Sequence, residues 1–115
     1  MRLDVRGAGV PIVVGAACTL PPDWVAWCSS RVRGEPIGVP AELHTRTEGW
    51  AVTFVETRIE GAWRIHAFYA VLDRALHATA ELPAAAPEDA RARIRHALLT
   101  AAPVFEPAIV ALAEL

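Results

Sequence analysis

Between Trp50 and Leu82 the chain reads WAVTFVETRIEGAWRIHAFYAVLDRALHATAEL. Three segments in this stretch alternate with period two, and two short turns, Glu60-Gly61 and Asp73-Arg74, separate them. The pattern predicts an antiparallel meander. A two-residue loop at Glu60-Gly61 pairs Ile59 with Ala62, which sets Phe54 opposite Ala67, Val52 opposite Tyr69 and Trp50 opposite Val71. A second loop at Asp73-Arg74 sets Val71 opposite Leu76, Tyr69 opposite Ala78, Ala67 opposite Ala80 and Ile65 opposite Leu82. Both hairpins place apolar residues on the same face, and a one-residue slip in either would destroy that agreement. The other face carries Thr53, Val55, Thr57, Arg64, His66, Phe68, Ala70, His77, Thr79 and Glu81, a mixture that suits neither a plain core nor plain solvent.

On the C-terminal side the period changes. Ala90, Ile94, Ala97, Leu98 and Ala101 recur at helical spacing, with Pro87 in the first turn and Glu88 and Asp89 at the positive end of the helix dipole. This helix is expected to end near Ala102, before Pro103. A second short helix is expected over 107–115, where Ile109, Val110, Leu112 and Leu115 leave little polar surface, so the tail must pack on its own domain or on another chain. These four residues are the candidate oligomerisation element of a homodimer. On the N-terminal side, the first 40 residues are punctuated by Gly and Pro and read as short strands joined by turns. Pro21-Pro22-Asp23-Trp24 opens one brief helix, on which Trp24, Trp27 and Cys28 share a face as an aromatic plug over the core.

These parts make an α+β fold in one domain: short strands and turns over 1–49, the meander over 50–82, and a helical segment over 87–115. At 115 residues there is no room for separate cofactor and substrate domains. The hydrophobic fraction of 54% and a mean hydropathy of +0.31 describe a chain able to bury a core. All 11 cations are Arg, Lys, Asn and Gln are absent, and Ala occurs 23 times, a bias typical of GC-rich bacterial genomes. With a net charge of -2, the chain has no excess of cations to neutralise phosphates, which argues against nucleic acid as a partner.

Prolines and glycines break the one long apolar run near the N-terminus, so no integral membrane segment is expected. A cytoplasmic location is the default. Arg2 and Arg6 ahead of an apolar stretch ending Gly15-Ala-Ala-Cys18 weakly imitate a lipoprotein cleavage site, which makes an envelope lipoprotein processed at Cys18 the alternative. Cys18 and Cys28 are too few for a disulfide framework and read as buried or half-buried thiols.

Chemistry is sparse. No C-x-x-C or H-x-x-x-H pair supplies metal-ligand spacing, so no metal or other cofactor is expected. Ser29 and Ser30 lack the nucleophile elbow, and Gly7-Ala-Gly9 lacks the context and the Lys of a phosphate loop. The meander register sets His66 opposite Glu81, either as an acid–base pair or as a cross-strand ion pair, with the second preferred because no nucleophile accompanies it. His44 and His96 are isolated.

The order of motifs from Trp50 to Pro107 resembles the C-terminal half of the DcrB-like proteins, a bacterial family sharing its fold with the photosystem PsbP proteins and a Ran-binding nuclear import factor. The likeness runs through Val52-Thr-Phe-Val-Glu-Thr57, the aromatic strand Gly61 to Leu72, the tight turn Asp73-Arg74, Ala75-Leu-His-Ala-Thr-Ala80 and the helix Glu88 to Ala102. Pro21-Pro-Asp-Trp24 is similar to the Pro-x-x-Trp segment after the family's first strand. The chain departs from the family in its short middle, compressed into about Val32 to Leu43, and in its apolar tail after Pro103. The resemblance implies a non-enzymatic binding protein, since several relatives are chaperones or adaptors for type VI secretion effectors and others are envelope lipoproteins. On that reading Val55, His66, Phe68, Ala70, His77 and Thr79 form the candidate site for an apolar helix or peptide. Two rival readings stand beside it. One is a SnoaL-like cone that binds or transforms a small apolar ligand in a pocket of Trp50, Trp63, Tyr69 and His66; the other is an immunity or structural protein that oligomerises through its tail.

Overall fold

The computed structural model describes residues 1–32, 35–36, 43–45 and 50–104. Its elements run β1 (Arg2–Asp4), β2 (Val13–Val14), β3 (Cys18–Thr19), α1 (Trp24–Arg31), β4 (Glu35–Pro36), β5 (Leu43–Thr45), β6 (Trp50–Ile59), β7 (Ala62–Val71), β8 (Arg74–Pro83), α2 (Glu88–Leu99) and β9 (Ala102–Val104). The fold is α+β. Strands β6, β7 and β8 are the expected antiparallel meander; β2 and β3 pair in turn with the outer edge of β8, and β4 and β5 with that of β6. Strands β1 and β9 form a separate two-stranded ladder.

The first hairpin has the expected register, with Phe54 opposite Ala67, Val52 opposite Tyr69 and Trp50 opposite Val71. Glu60 and Gly61 both have positive φ, at 47° and 77°, which matches the twist of the flanking strands in a two-residue loop. The second hairpin is offset by two residues from expectation. Its turn is Leu72-Asp73, so Tyr69 faces Leu76, Ala67 faces Ala78, Ile65 faces Ala80 and His66 faces Thr79. Alternation cannot detect such an error, because a shift of two keeps every side chain on its face. Two contacts favour the observed register. It sets Arg64 directly opposite Glu81, and β3 runs beside the turn, with the Leu20 amide donating to the Asp73 carbonyl at 2.7 Å.

The core lies on the apolar face of the meander. Val52, Ile65, Ala67, Tyr69, Leu76 and Ala78 are buried there beneath Ile94 and Leu98 of α2, with Ala101 just beyond the helix. Met1, Leu3, Val5, Val10, Ile12 and Val14 pack around its margin. Helix α2 carries the expected apolar stripe but stops at Leu99 rather than near Ala102. The Thr100 amide and hydroxyl both donate to the His96 carbonyl, at 2.9 and 2.8 Å, and close the last turn. Pro103 disfavours the helical conformation at Ala102, and the chain passes directly into β9. As part of a two-stranded ladder, β9 tolerates a residue without an amide hydrogen.

Among the described residues, no helix is long and apolar enough to cross a membrane. The expected helix over 107–115, with Ile109, Val110, Leu112 and Leu115, lies outside the described residues, as does most of the compressed segment from Val32 to Leu43.

Candidate functional site

All six candidate partner-binding residues share the sheet face opposite the core. They lie within hydrogen-bonded registers that pair Val55 with His66, His66 with Thr79, and Phe68 with His77. Ala70 continues this face past Phe68, between Ala51 and Ala75. His66 and His77 are diagonal neighbours, and their Nδ1 and Nε2 atoms meet at 2.8 Å in a hydrogen bond. The His77 ring stacks on Phe68 with centroids 4.5 Å apart, and Thr79 Oγ1 approaches His77 Nε2 at 3.2 Å. His66 is 3% exposed and Phe68 is fully buried, while Val55, Ala70, His77 and Thr79 are half-buried.

Helix α1 sits against this face, and its local sequence explains why it forms there. Pro21-Pro22 precede it, and the Asp23 carboxylate caps its start by accepting from the Ala26 amide at 3.1 Å. Its aromatic side chains then reach the sheet. The Trp24 indole donates to Thr53 Oγ1 at 3.4 Å, and Trp27 meets Phe68 edge-on at 5.4 Å. The Arg31 guanidinium covers Trp27 at 4.5 Å from the ring. The aromatic plug therefore forms, but it covers the mixed face and not the expected core face, because Trp27 packs on Phe68 and Trp24 on Thr53.

Electrostatics keep the pair neutral. Burial pushes His66 down to about 4, helped by the charges His77 and Arg64 would present to its protonated form. Burial and Arg31 push His77 down to about 4 as well. Two buried atoms here, His66 Nε2 and Thr57 Oγ1, have no hydrogen-bond partner among the described residues.

Other expectations are corrected. Glu81 does not face His66; the two-residue offset places it opposite Arg64, where the groups form an ion pair at 3.1 Å. No acid–base pair of His66 and Glu81 exists. Trp50, Trp63 and Tyr69 lie on the core face and His66 on the opposite one, so these four cannot line one pocket. Cys28 is a buried free thiol, pushed up to about 11 by desolvation, which keeps it protonated and unreactive at neutral pH. Cys18 is half-buried and free. His96 is exposed on α2. Among the described residues, no three His, Cys, Asp or Glu side chains gather as metal ligands would.

The direct contact between the two imidazoles was not legible from the sequence. A turn at Asp73-Arg74, one residue later than the observed one, shifts the register by two and sets His77 about four strand positions from His66; with the turn at Leu72-Asp73 the two are diagonal neighbours. Comparisons with protein-family models, curated proteins and solved structures each return no match for this chain.

Proposed function

We propose that this chain is a non-enzymatic protein-binding module of bacterial origin, an adaptor or chaperone of the DcrB-like kind, that engages an apolar helix or peptide of a secreted protein. The observation carrying this reading is the composition of one sheet face. Half-buried Val55 and Ala70 offer apolar contact, His77 and Thr79 offer hydrogen bonds, and buried Phe68 and His66 hold them in place. Catalysis has less support: the Cys28 thiol is protonated, and the two imidazoles contact each other, Phe68 and Thr79. The ligand-binding cone loses its motive once its pocket residues fall on opposite faces. In the same proposal the protein works in the cytoplasm as a homodimer assembled through Ile109, Val110, Leu112 and Leu115.

Thermal stabilisation separates the alternatives. An adaptor gains melting temperature with amphipathic helical peptides and not with small apolar ligands, by the mass-action effect of binding the folded state alone. Val55→Arg should abolish the gain. Stabilisation by small ligands alone, insensitive to Val55→Arg, would sink the proposal. Light scattering on the full chain and on a version ending at Val104, which keeps β9 intact, tests the dimer.

A further inference from the structure

We propose that the His66–His77 pair is an acid-operated latch on α1: when both imidazoles are protonated their mutual hydrogen bond is lost, and the helix leaves the sheet face. The argument is one of hydrogen counting. In the neutral pair one facing nitrogen donates and the other accepts across 2.8 Å. A first proton, taken up at the ring nitrogen that faces away from the partner imidazole, leaves that N–H···N bond intact. A second proton can be taken up only on the accepting nitrogen or its tautomeric equivalent, and both facing nitrogens then carry hydrogen. Two donors cannot remain 2.8 Å apart, and each ring now bears a positive charge.

No described carboxylate is positioned to absorb that charge. On β7 the nearby ion is Arg64, and on β8 Glu81 is already paired with Arg64. Helix α1 contributes Arg31, whose charge opposes that of protonated His77, together with the protonated Cys28 thiol and the Asp23 carboxylate at its far end. Strand β6 presents only Ala51, Thr53, Val55 and Thr57 to this face along the described contact. Acid thus places cations on both sides of the helix–sheet contact.

The mechanical link to α1 is short. His77 stacks on Phe68 at 4.5 Å, and Phe68 receives the edge of Trp27 at 5.4 Å. Separation of the imidazoles moves the ring on which Trp27 rests, while Arg31, seated over Trp27, is repelled. Among the described residues, no buried side chain of the core face, held by α2, is a histidine, and the two protons on the opposite face do not address it. The latch operates whatever the face binds.

The test uses the full chain and the four indole N–H resonances of its ¹⁵N-labelled form, followed from pH 7 to pH 3.5. Trp24 and Trp27 report α1, whereas Trp50 and Trp63 report the core. The expected result is that the Trp24 and Trp27 signals change first, with a steepness of about two protons, while the Trp50 and Trp63 signals hold. His77→Gln supplies a side chain that can accept from or donate to His66 Nδ1 and does not titrate, and should lower the transition by about one pH unit or more. His66→Gln is the matching second variant if His77→Gln does not give a folded spectrum at pH 7, with the same shift expected. Movement of all four indoles at one midpoint, an α1 that stays docked to pH 3.5, or glutamine variants with the wild-type midpoint would each overturn the proposal.

Discussion

Tyr69→Phe isolates the join between sheet and helix. Tyr69 is fully buried, its ring lies 5.6 Å from Trp50, and its hydroxyl donates to the Leu98 carbonyl at 2.5 Å. That carbonyl sits in the last turn of α2, where backbone acceptors have no intrahelical partner. The phenyl ring fills the same space, so no cavity opens; the loss is one hydrogen bond plus a buried carbonyl left unsatisfied. Such an orphaned group costs about 1 to 3 kcal/mol. With an unfolding entropy of roughly 2.1 cal/mol/K per residue over 115 residues, 2 kcal/mol corresponds to a fall in Tm of about 8 °C. Urea unfolding should show a lower midpoint with the slope unchanged, because the surface exposed on unfolding is the same. Thr100→Ala is the control at the same helix end: its hydroxyl is bound to the His96 carbonyl but the residue is exposed, so it should cost only about 0.5 kcal/mol or less. A Tyr69→Phe cost no larger than that of Thr100→Ala would refute the assignment of the hydroxyl as the cap of α2.

Leu72 has a φ of 55° at the tip of the second hairpin and is 73% exposed, so Leu72→Gly should stabilise the protein by about 1 kcal/mol in thermal melts, and a loss of stability would contradict the turn assignment. Glu56 Oε1 accepts from the Trp63 indole at 3.0 Å and from Arg95 at 2.6 Å; Glu56→Gln weakens both charge-assisted bonds and should cost about 1 to 2 kcal/mol in urea titrations. Protons on His66 and His77 bind more readily to the unfolded chain, because both groups sit near 4 in the fold against an ordinary 6.5. Stability is therefore complete above about pH 6.5 and falls as pH drops toward 4, by up to about 1.4 kcal/mol per pH unit for each imidazole. Urea midpoints at pH 7, 5.5 and 4.5 measure the slope, and His77→Gln should roughly halve the part due to the pair.

The meander was readable because its alternation is strict and the Glu60-Gly61 turn pins one register chemically. The second turn was not, since Leu72 is a residue that hairpin tips rarely use, and the choice between Leu72-Asp73 and Asp73-Arg74 leaves the two faces unchanged. What tips the balance, strand β3 beside the turn and Glu81 opposite Arg64, is long-range or appears only in the correct register. The same reason explains the site. Which residues share the mixed face depends on parity alone and was legible; which of them touch depends on register and was not. Helix α1 was announced by Pro21-Pro22-Asp23 and its aromatic spacing, but its seat on the mixed face depends on the contact of Trp27 with Phe68. Strand β9 escaped notice because three residues after a helix carry no periodic signal; its existence depends on β1, about a hundred residues away in sequence.

The ladder of β1 with β9 also orders events during synthesis. Arg2 is synthesised about a hundred residues ahead of its partner Val104. At translation rates of about 5 to 20 residues per second, Arg2 waits on the order of 5 to 20 s for that partner. Throughout this interval Leu3, Val5, Val10 and Ile12 have no finished core to pack against. The nascent segment from Arg2 to Ile12 is thus one that chaperones or proteases meet before the fold can claim it.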